Sequence, residues 1–204
     1  MSIVSDRSDF SAPYGAWIVA GSRIFTKFGV VRIESLSIDD EVITRSNGFQ
    51  RIQYLGNTRQ HDEKFKTSIM IKTGVINNEQ DIFVSPDHKI LVYGSKIKQE
   101  FGKLEYLVAA KDLINGSSIV KLDANDLEYH CVLFEKHEVI YVEGAALESF
   151  NLNDIKAQGG MFFDKGMTEI AIQKQASFTE TTKPILNRTK ASVLRDNPDL
   201  MLRD

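Results

Sequence analysis

Residues 21–52 read GSRIFTKFGVVRIESLSIDDEVITRSNGFQRI, and this stretch decides the fold class. Its apolar residues come in short runs at 23–26, 30–33 and 41–44, with turn residues such as Gly29 between them. Short runs rich in β-branched and aromatic residues predict strands. Asn47-Gly48, between two such runs, predicts a hairpin because both residues tolerate the positive φ of tight hairpin turns.

The same pattern continues outward along the chain. Further runs lie at 68–71, 81–84, 89–92 and 137–142. Seven or more β segments at spacings of about 8 to 15 residues predict an all-β domain. After Phe150 the sequence becomes polar and glycine-punctuated, with a loosely helical pattern at 192–202. We therefore expect an arm at 1–15, one β domain at 16–150, and an extension at 151–204 that is partly helical or irregular.

Composition and charge exclude several classes of protein. The chain has 204 residues, of which 42% are hydrophobic and 26% charged, so disordered, collagen-like and coiled-coil proteins are disfavoured. The 25 basic and 28 acidic residues give a net charge of -3, so we expect no nucleic-acid partner and no anionic membrane surface. The sequence does not indicate an oligomeric state.

The cysteine count and the first apolar run bear on location. Cys131 is the single cysteine, so an intrachain disulfide is impossible, and its apolar strand predicts a buried small hydrophobe. The run 16–20 is too short for a spanning helix or a secretory core. These features predict a soluble, cytoplasmic protein, although export without a signal stays open.

The segment Ser85-Pro86-Asp87-His88 follows a predicted strand and carries the strongest chemical signal. Pro86 has a fixed φ, so the turn is rigid and the Ser85 hydroxyl and His88 imidazole can converge on one point. Such a pair suits protonation of a leaving amide nitrogen. The alternative is structural, with Ser85 capping the turn and His88 as a hydrogen-bonded histidine of the surface or the core.

Three of the histidines raise the question of a metal site. His88, His130 and His137 match neither a helical His-x-x-x-His pair nor a cysteine-rich site, and the chain offers one thiol. We therefore expect no metal and no cofactor.

Taken in order, these blocks resemble the Hint module that inteins and hedgehog autoprocessing domains share, in its stand-alone bacterial branch. The resemblance covers roughly residues 16–150, and its blocks lie at 17–26, 31–36, 40–42, 51–56, 84–91, 112–120, 128–130 and 137–150. It implies an all-β fold of curved strands with pseudo-two-fold character, followed by the short extension. In the family, the first residue, usually cysteine, attacks the preceding carbonyl, and a Thr-x-x-His pair assists.

Carried over residue by residue, the resemblance gives Ser85 the threonine role and His88 the general-acid role, with His137 near the block that completes the site. Trp17 stands at the nucleophile position, and its indole cannot add to a carbonyl. Glu148-Ser149 stands where inteins carry His-Asn, so splicing is not expected.

The resemblance therefore leaves two hypotheses about function. The first is a degenerate Hint module that acts as a binding or structural domain, with its own upstream polypeptide or another protein as partner. The second is a self-cleaving autoprotease that cuts its upstream peptide bond through the Ser22 hydroxyl, with Ser85 and His88 assisting. An upstream fusion distinguishes them.

Overall fold

The computed structural model describes residues 13–58, 65–151, 153 and 181–202. Its strands are β1 (Ile18–Val19), β2 (Arg23–Thr26), β3 (Gly29–Arg32), β4 (Glu41–Thr44), β5 (Gly48–Arg51), β6 (Tyr54–Asn57), β7 (Phe65–Ile71), β8 (Ile82–Val84), β9 (Lys89–Tyr93), β10 (Glu105–Ala109), β11 (Ile119–Leu127), β12 (Tyr129–Leu133), β13 (Val139–Val142) and β14 (Ala145–Glu148). The helices are α1 (Ser95–Phe101), α2 (Arg188–Asp196) and the 3-10 helices Ile33–Ser35, Ala110–Leu113 and Pro198–Met201. The all-β prediction is confirmed.

The strands form two antiparallel sheets. One has the order β11-β7-β8-β1-β12-β6, and the other has the order β10-β9-β14-β13-β2-β4-β5, with β3 paired to β2. Their apolar faces contribute to one large cluster, which includes Val84 and Val132 from the first sheet and Ile90, Ile140 and Leu147 from the second. Burial of apolar area in this cluster is the main driving force of the fold.

The hairpin predicted at Asn47-Gly48 joins β4 to β5. Thr44 pairs with Gly48, whose φ is +66°, and the Thr44 hydroxyl donates to the Gly48 carbonyl at 2.8 Å. Glycine adopts this left-handed conformation without steric cost, which explains the position of the turn.

Strand β1 is short but central, because it lies between β8 and β12. Ile18 pairs with Val84 on one side and with His130 on the other. The rings of Trp17 and Phe150 meet edge to face with their centroids 5.7 Å apart. The two ends of the β domain therefore lie next to each other and beside the end of β8.

Residues 181–202 pack back onto the β domain. Ile185 forms a parallel bridge with Leu107 of β10, and Leu186, Leu194 and Met201 are buried in the large apolar cluster. Helix α2 begins after Asn187, whose side chain accepts the Lys190 N–H. Most of the arm expected at 1–15, and residues 152 and 154–180 of the extension, lie outside the described residues.

Among the described residues, no helix is long and apolar enough to cross a bilayer. Within the same ranges, no three His, Cys, Asp or Glu side chains converge as metal ligands would.

Candidate functional site

The turn between β8 and β9 carries the two residues that the sequence singles out. The His88 N–H donates to the Ser85 carbonyl at 3.1 Å, which closes the turn through Pro86 and Asp87. The side chains of Ser85 and His88 are both fully buried. The turn therefore presents a hydroxyl and an imidazole to the protein interior, toward the start of β1.

The main chain of Trp17 is the partner of both side chains. The Trp17 N–H donates to the Ser85 hydroxyl oxygen at 3.2 Å, and that hydroxyl donates to the Gly15 carbonyl at 2.5 Å. The Trp17 carbonyl accepts the Ser85 N–H at 2.9 Å and lies 3.0 Å from His88 Nδ1. The hydroxyl thus contacts the nitrogen of the Ala16–Trp17 peptide bond, whereas the imidazole contacts the next carbonyl along the chain.

His88 lies between two main-chain carbonyls, because its Nε2 is 3.0 Å from the Glu148 carbonyl oxygen. Burial lowers the pKa of His88, although the nearby Glu148 carboxylate and the two carbonyls act in the opposite direction. A neutral ring has one N–H for these two acceptors. The two contacts have the same length, so the ring donates to one of these carbonyls and holds the other at contact distance.

Glu148 connects the remaining groups of the site. Its Oε1 accepts the Lys89 N–H and the Lys89 ammonium, each at 2.9 Å, and its Oε2 lies 3.1 Å from His137 Nε2. Leu147 faces Ile90, so Glu148 lies opposite Lys89 on the paired strands. Because the carboxylate takes the Lys89 N–H, the Glu148 carbonyl remains for His88.

The Glu148 carboxylate is fully buried and charged. Its burial disfavours the anion, but the hydrogen bond from His137 and the charge of Lys89 hold the pKa of Glu148 below its usual value. A buried carboxylate with these partners fixes β14 against β9 and against the segment before β13. The site therefore joins the start of the domain to its end.

The indole of Trp17 lies in a different environment from its main chain. It is fully buried in a second apolar cluster, and its Nε1 donates to the Tyr14 carbonyl at 2.9 Å. The other buried members of the cluster are Ala16, Tyr54, Phe65, Tyr129, Cys131, Leu133 and Phe150. The Trp17 carbonyl contacts His88 while the indole packs in this cluster, so the indole acts as an apolar anchor beside the site.

Gly56 makes room for this anchor. A Cβ at Gly56 would lie 2.7 Å from Cys131 Sγ and 3.6 Å from the Trp17 ring. The Cys131 thiol is buried in the same cluster. The prediction of Cys131 as a buried small hydrophobe is confirmed.

The other residues singled out in the sequence lie apart from the Ser85 and His88 pair. The Ser22 hydroxyl donates to the Val19 carbonyl at 3.0 Å, in the turn before β2. His130 Nε2 lies 2.7 Å from the Glu128 carboxylate, beside β12. The structure therefore brings together Trp17, Ser85 and His88, and Glu148 connects His137 to them by hydrogen bonds. The catalytic roles of these residues stay predictions.

Sequence reasoning missed the two groups at the centre of the network. In the sequence, Glu148 stood out only as a departure from the His-Asn pattern, and no role was predicted for Lys89. Both are ordinary polar residues at strand ends, and their contact spans 59 positions of sequence. The one local signal is a glutamate within an apolar strand, 145–148, where a charge needs a buried partner.

Comparisons with known proteins agree with this architecture. The family model described as the Hint domain matches residues 18–154. The solution structure of a bacterial intein-like domain from Clostridium thermocellum is 16% identical, with a TM-score of 0.50, and the match covers 67% of this chain and 99% of that one.

Two inteins of known structure give weaker overlaps. The TvoVMA intein is 14% identical with a TM-score of 0.48, covering 65% of this chain and 96% of its own. A DnaB intein from Synechocystis is 14% identical with a TM-score of 0.40, covering 65% and 98%. Among proteins with curated annotation, none matches significantly. The family match spans more than half of the sequence, and the chain belongs to the Hint domain family.

Proposed function

We propose that this chain is a Hint module in which the peptide bond before position 17 is kept, and that the former cleavage site anchors the upstream polypeptide. The observation that carries the proposal is the burial of Trp17. At the position that the family resemblance gives to the nucleophile, the side chain is an indole packed in an apolar cluster. An indole offers no atom that can add to a carbonyl carbon under these conditions.

The hydrogen bonds around Trp17 support retention of the peptide bond before it rather than its cleavage. Ser85 and His88 contact its main chain on both the nitrogen and the carbonyl side, and the Ser85 hydroxyl also fastens Gly15. Loss of a nucleophile costs on the order of 10⁶ in rate, whereas a positioned acid contributes about 10² to 10⁴. The retained Ser85 and His88 therefore stabilise the junction but cannot replace the attacking group.

The anchored partner in this proposal is the chain's own upstream polypeptide, or another protein linked to it. A cytoplasmic location is part of the same proposal, and the absence of a disulfide at Cys131, the single cysteine of the sequence, is compatible with a reducing compartment.

The second candidate is cleavage through Ser22. Ser22 is buried, and its hydroxyl donates a hydrogen bond to the Val19 carbonyl, as a serine in a tight turn commonly does. Cleavage there would leave a fragment that begins at Ser22, so its mass identifies this alternative.

The experiment uses a reporter fused upstream of three chains: the natural one, Trp17→Cys, and Trp17→Cys combined with His88→Ala. Intact mass is measured after incubation with dithiothreitol or hydroxylamine. We expect the natural chain to stay uncut, because no thioester can form at position 17. Release from Trp17→Cys that His88→Ala suppresses would show that the assisting groups still work. Efficient cleavage of the natural chain would overturn the proposal, and a cut before Ser22 would establish the alternative.

A further inference from the structure

Residues 181–186, which we call the strap, lie beyond the matched Hint region and cross the outer edge of β10. The Leu107 N–H donates to the Pro184 carbonyl and the Leu186 N–H donates to the Leu107 carbonyl, each at 2.8 Å. Lys183 Nζ lies 2.5 Å from the Glu105 carboxylate. The strap is therefore bound as an added strand segment at that edge.

The strap also reaches the buried site. The main-chain N–H of Thr182 donates to His137 Nδ1 at 3.2 Å, and the Thr182 hydroxyl oxygen lies 3.4 Å from the same nitrogen. A peptide N–H can only donate, so Nδ1 must present a lone pair. On the other side of the ring, Nε2 faces the Glu148 carboxylate at 3.1 Å, and a carboxylate can only accept. One state of the ring satisfies both neighbours, which is neutral His137 with its proton on Nε2.

The other two states of the ring conflict with the same neighbours. An Nδ1–H tautomer would place N–H against N–H at Thr182 and a lone pair against the carboxylate. An imidazolium would keep the contact to Glu148 but turn Nδ1–H against the Thr182 N–H, and its one remaining acceptor on Thr182 would be the hydroxyl oxygen, at the longer distance of 3.4 Å. The side chains of His137 and Glu148 are 1% and 0% exposed, so bulk water does not offer alternative partners.

We propose that Thr182 is a positioning residue of the site, whose main-chain N–H selects the Nε2–H tautomer of His137 and so aims that proton at Glu148. The charged and titratable groups around the ring are consistent with this. The second carboxylate oxygen of Glu148 accepts a hydrogen bond from Lys89, and its main-chain carbonyl contacts His88. Lys136 and Glu138 are the charged neighbours of His137 in the sequence.

The tautomer of His137 affects the Trp17 junction because it helps to orient Glu148. With Oε2 held by His137 and Oε1 held by Lys89, the carboxylate has a fixed orientation, and the Glu148 carbonyl points to His88. A segment outside the Hint match thus completes the hydrogen-bond chain from the strap to His88. The proposal does not depend on whether the upstream bond is cut.

The direct test is nitrogen NMR on the natural chain labelled with ¹⁵N. We expect His137 Nδ1 to resonate as an unprotonated nitrogen and Nε2 as a protonated one, at neutral pH. We also expect a scalar coupling across the hydrogen bond between the Thr182 amide nitrogen and Nδ1. A proton on Nδ1, or the absence of that coupling, would overturn the proposal.

Two variants separate the N–H from the side chain. Thr182→Pro removes the donor, so we expect an Nδ1-protonated population of His137 to appear. Thr182→Ala keeps the N–H and removes the hydroxyl, so we expect the tautomer of the natural chain. Exchange protection of the Leu107 and Leu186 amides reports whether the strap stays bound in each variant. Equal behaviour of the two variants would contradict the proposal, and if Thr182→Pro fails to fold, the coupling in the natural chain decides.

Discussion

Trp17 shows that the side chain and the main chain of one residue can have separate functions. The indole packs with Phe150 and lies beside Cys131, whereas the peptide groups are held by Ser85 and His88. Under our proposal position 17 corresponds to the nucleophile, whose side chain would have to reach the preceding carbonyl in a chain that cuts itself. Here it points into an apolar cluster, and its size keeps β1 in place.

The first prediction concerns this burial. Trp17→Ala should lower the free energy of unfolding by about 3–5 kcal/mol, because it removes a fully buried ring and leaves a cavity. Urea denaturation measures the change. Phe28→Ala is the matched control, since Phe28 is 89% exposed, and its effect should stay within about 0.5 kcal/mol. Equal losses in both variants would contradict the anchor role.

At this scale the sequence predicted local patterns well and distant partners poorly. Ser85 and His88 are recognisable because four consecutive residues hold the turn and both functional groups. Glu148 and Lys89 could not be paired from the sequence, since their contact depends on the alignment of two strands far apart in the chain. The separate positions of the indole and the peptide groups of Trp17 depend on the same long-range packing.

At the scale of the elements, the turn between β8 and β9 acts as a clamp on β1 and β14. His88 spans the gap, with Trp17 on one side and Glu148 on the other. Most strands that carry this arrangement were predictable from apolar runs. Helix α1 was not, because it is a single short element between Gly94 and Gly102, and its burial depends on one residue, Ile97.

The pH dependence of stability follows from His88. Burial lowers its pKa below the ordinary value of 6.5, so the unfolded chain binds a proton at a pH where the folded chain does not. Stability is therefore complete above about pH 6.5 and is lost as the pH falls toward the depressed value, by up to about 1.4 kcal/mol per pH unit.

Denaturation midpoints measured at several pH values test this dependence. His88→Gln, which cannot titrate, should show a shallower loss between about pH 6.5 and pH 5 than the natural chain. An identical slope in the two chains would show that His88 does not titrate as its burial requires.

At the scale of the whole molecule, two sheets and a returning C-terminal segment form one packed unit. Leu186, Leu194 and Met201 belong to the same apolar cluster as Ile90 and Ile140. Burial of each such side chain contributes about 1.5–3 kcal/mol. The helical pattern near the end of the sequence was visible, but its packing against the β domain was not, because a short amphipathic segment does not specify its partner.

Truncation tests the contribution of this segment. A chain that ends at Asn153 should lose more than about 3 kcal/mol of unfolding free energy and bind a dye specific for exposed apolar surface. The control is a chain that ends at Leu202, which keeps residues 181–202 and should match the full chain. Unchanged stability after removal of the segment would mean that the β domain stands without it.

Amide hydrogen exchange at Trp17, in the natural chain carrying an upstream fusion, tests the anchoring of the junction most directly. The structure gives the Trp17 N–H two acceptors, the Ser85 hydroxyl and the Gly15 carbonyl, at a fully buried position. We expect this amide to exchange only with global unfolding, and Ser85→Ala to accelerate it while Val92 in β9 stays unchanged. Exchange of the Trp17 amide as fast as that of the exposed Phe28 would contradict the account.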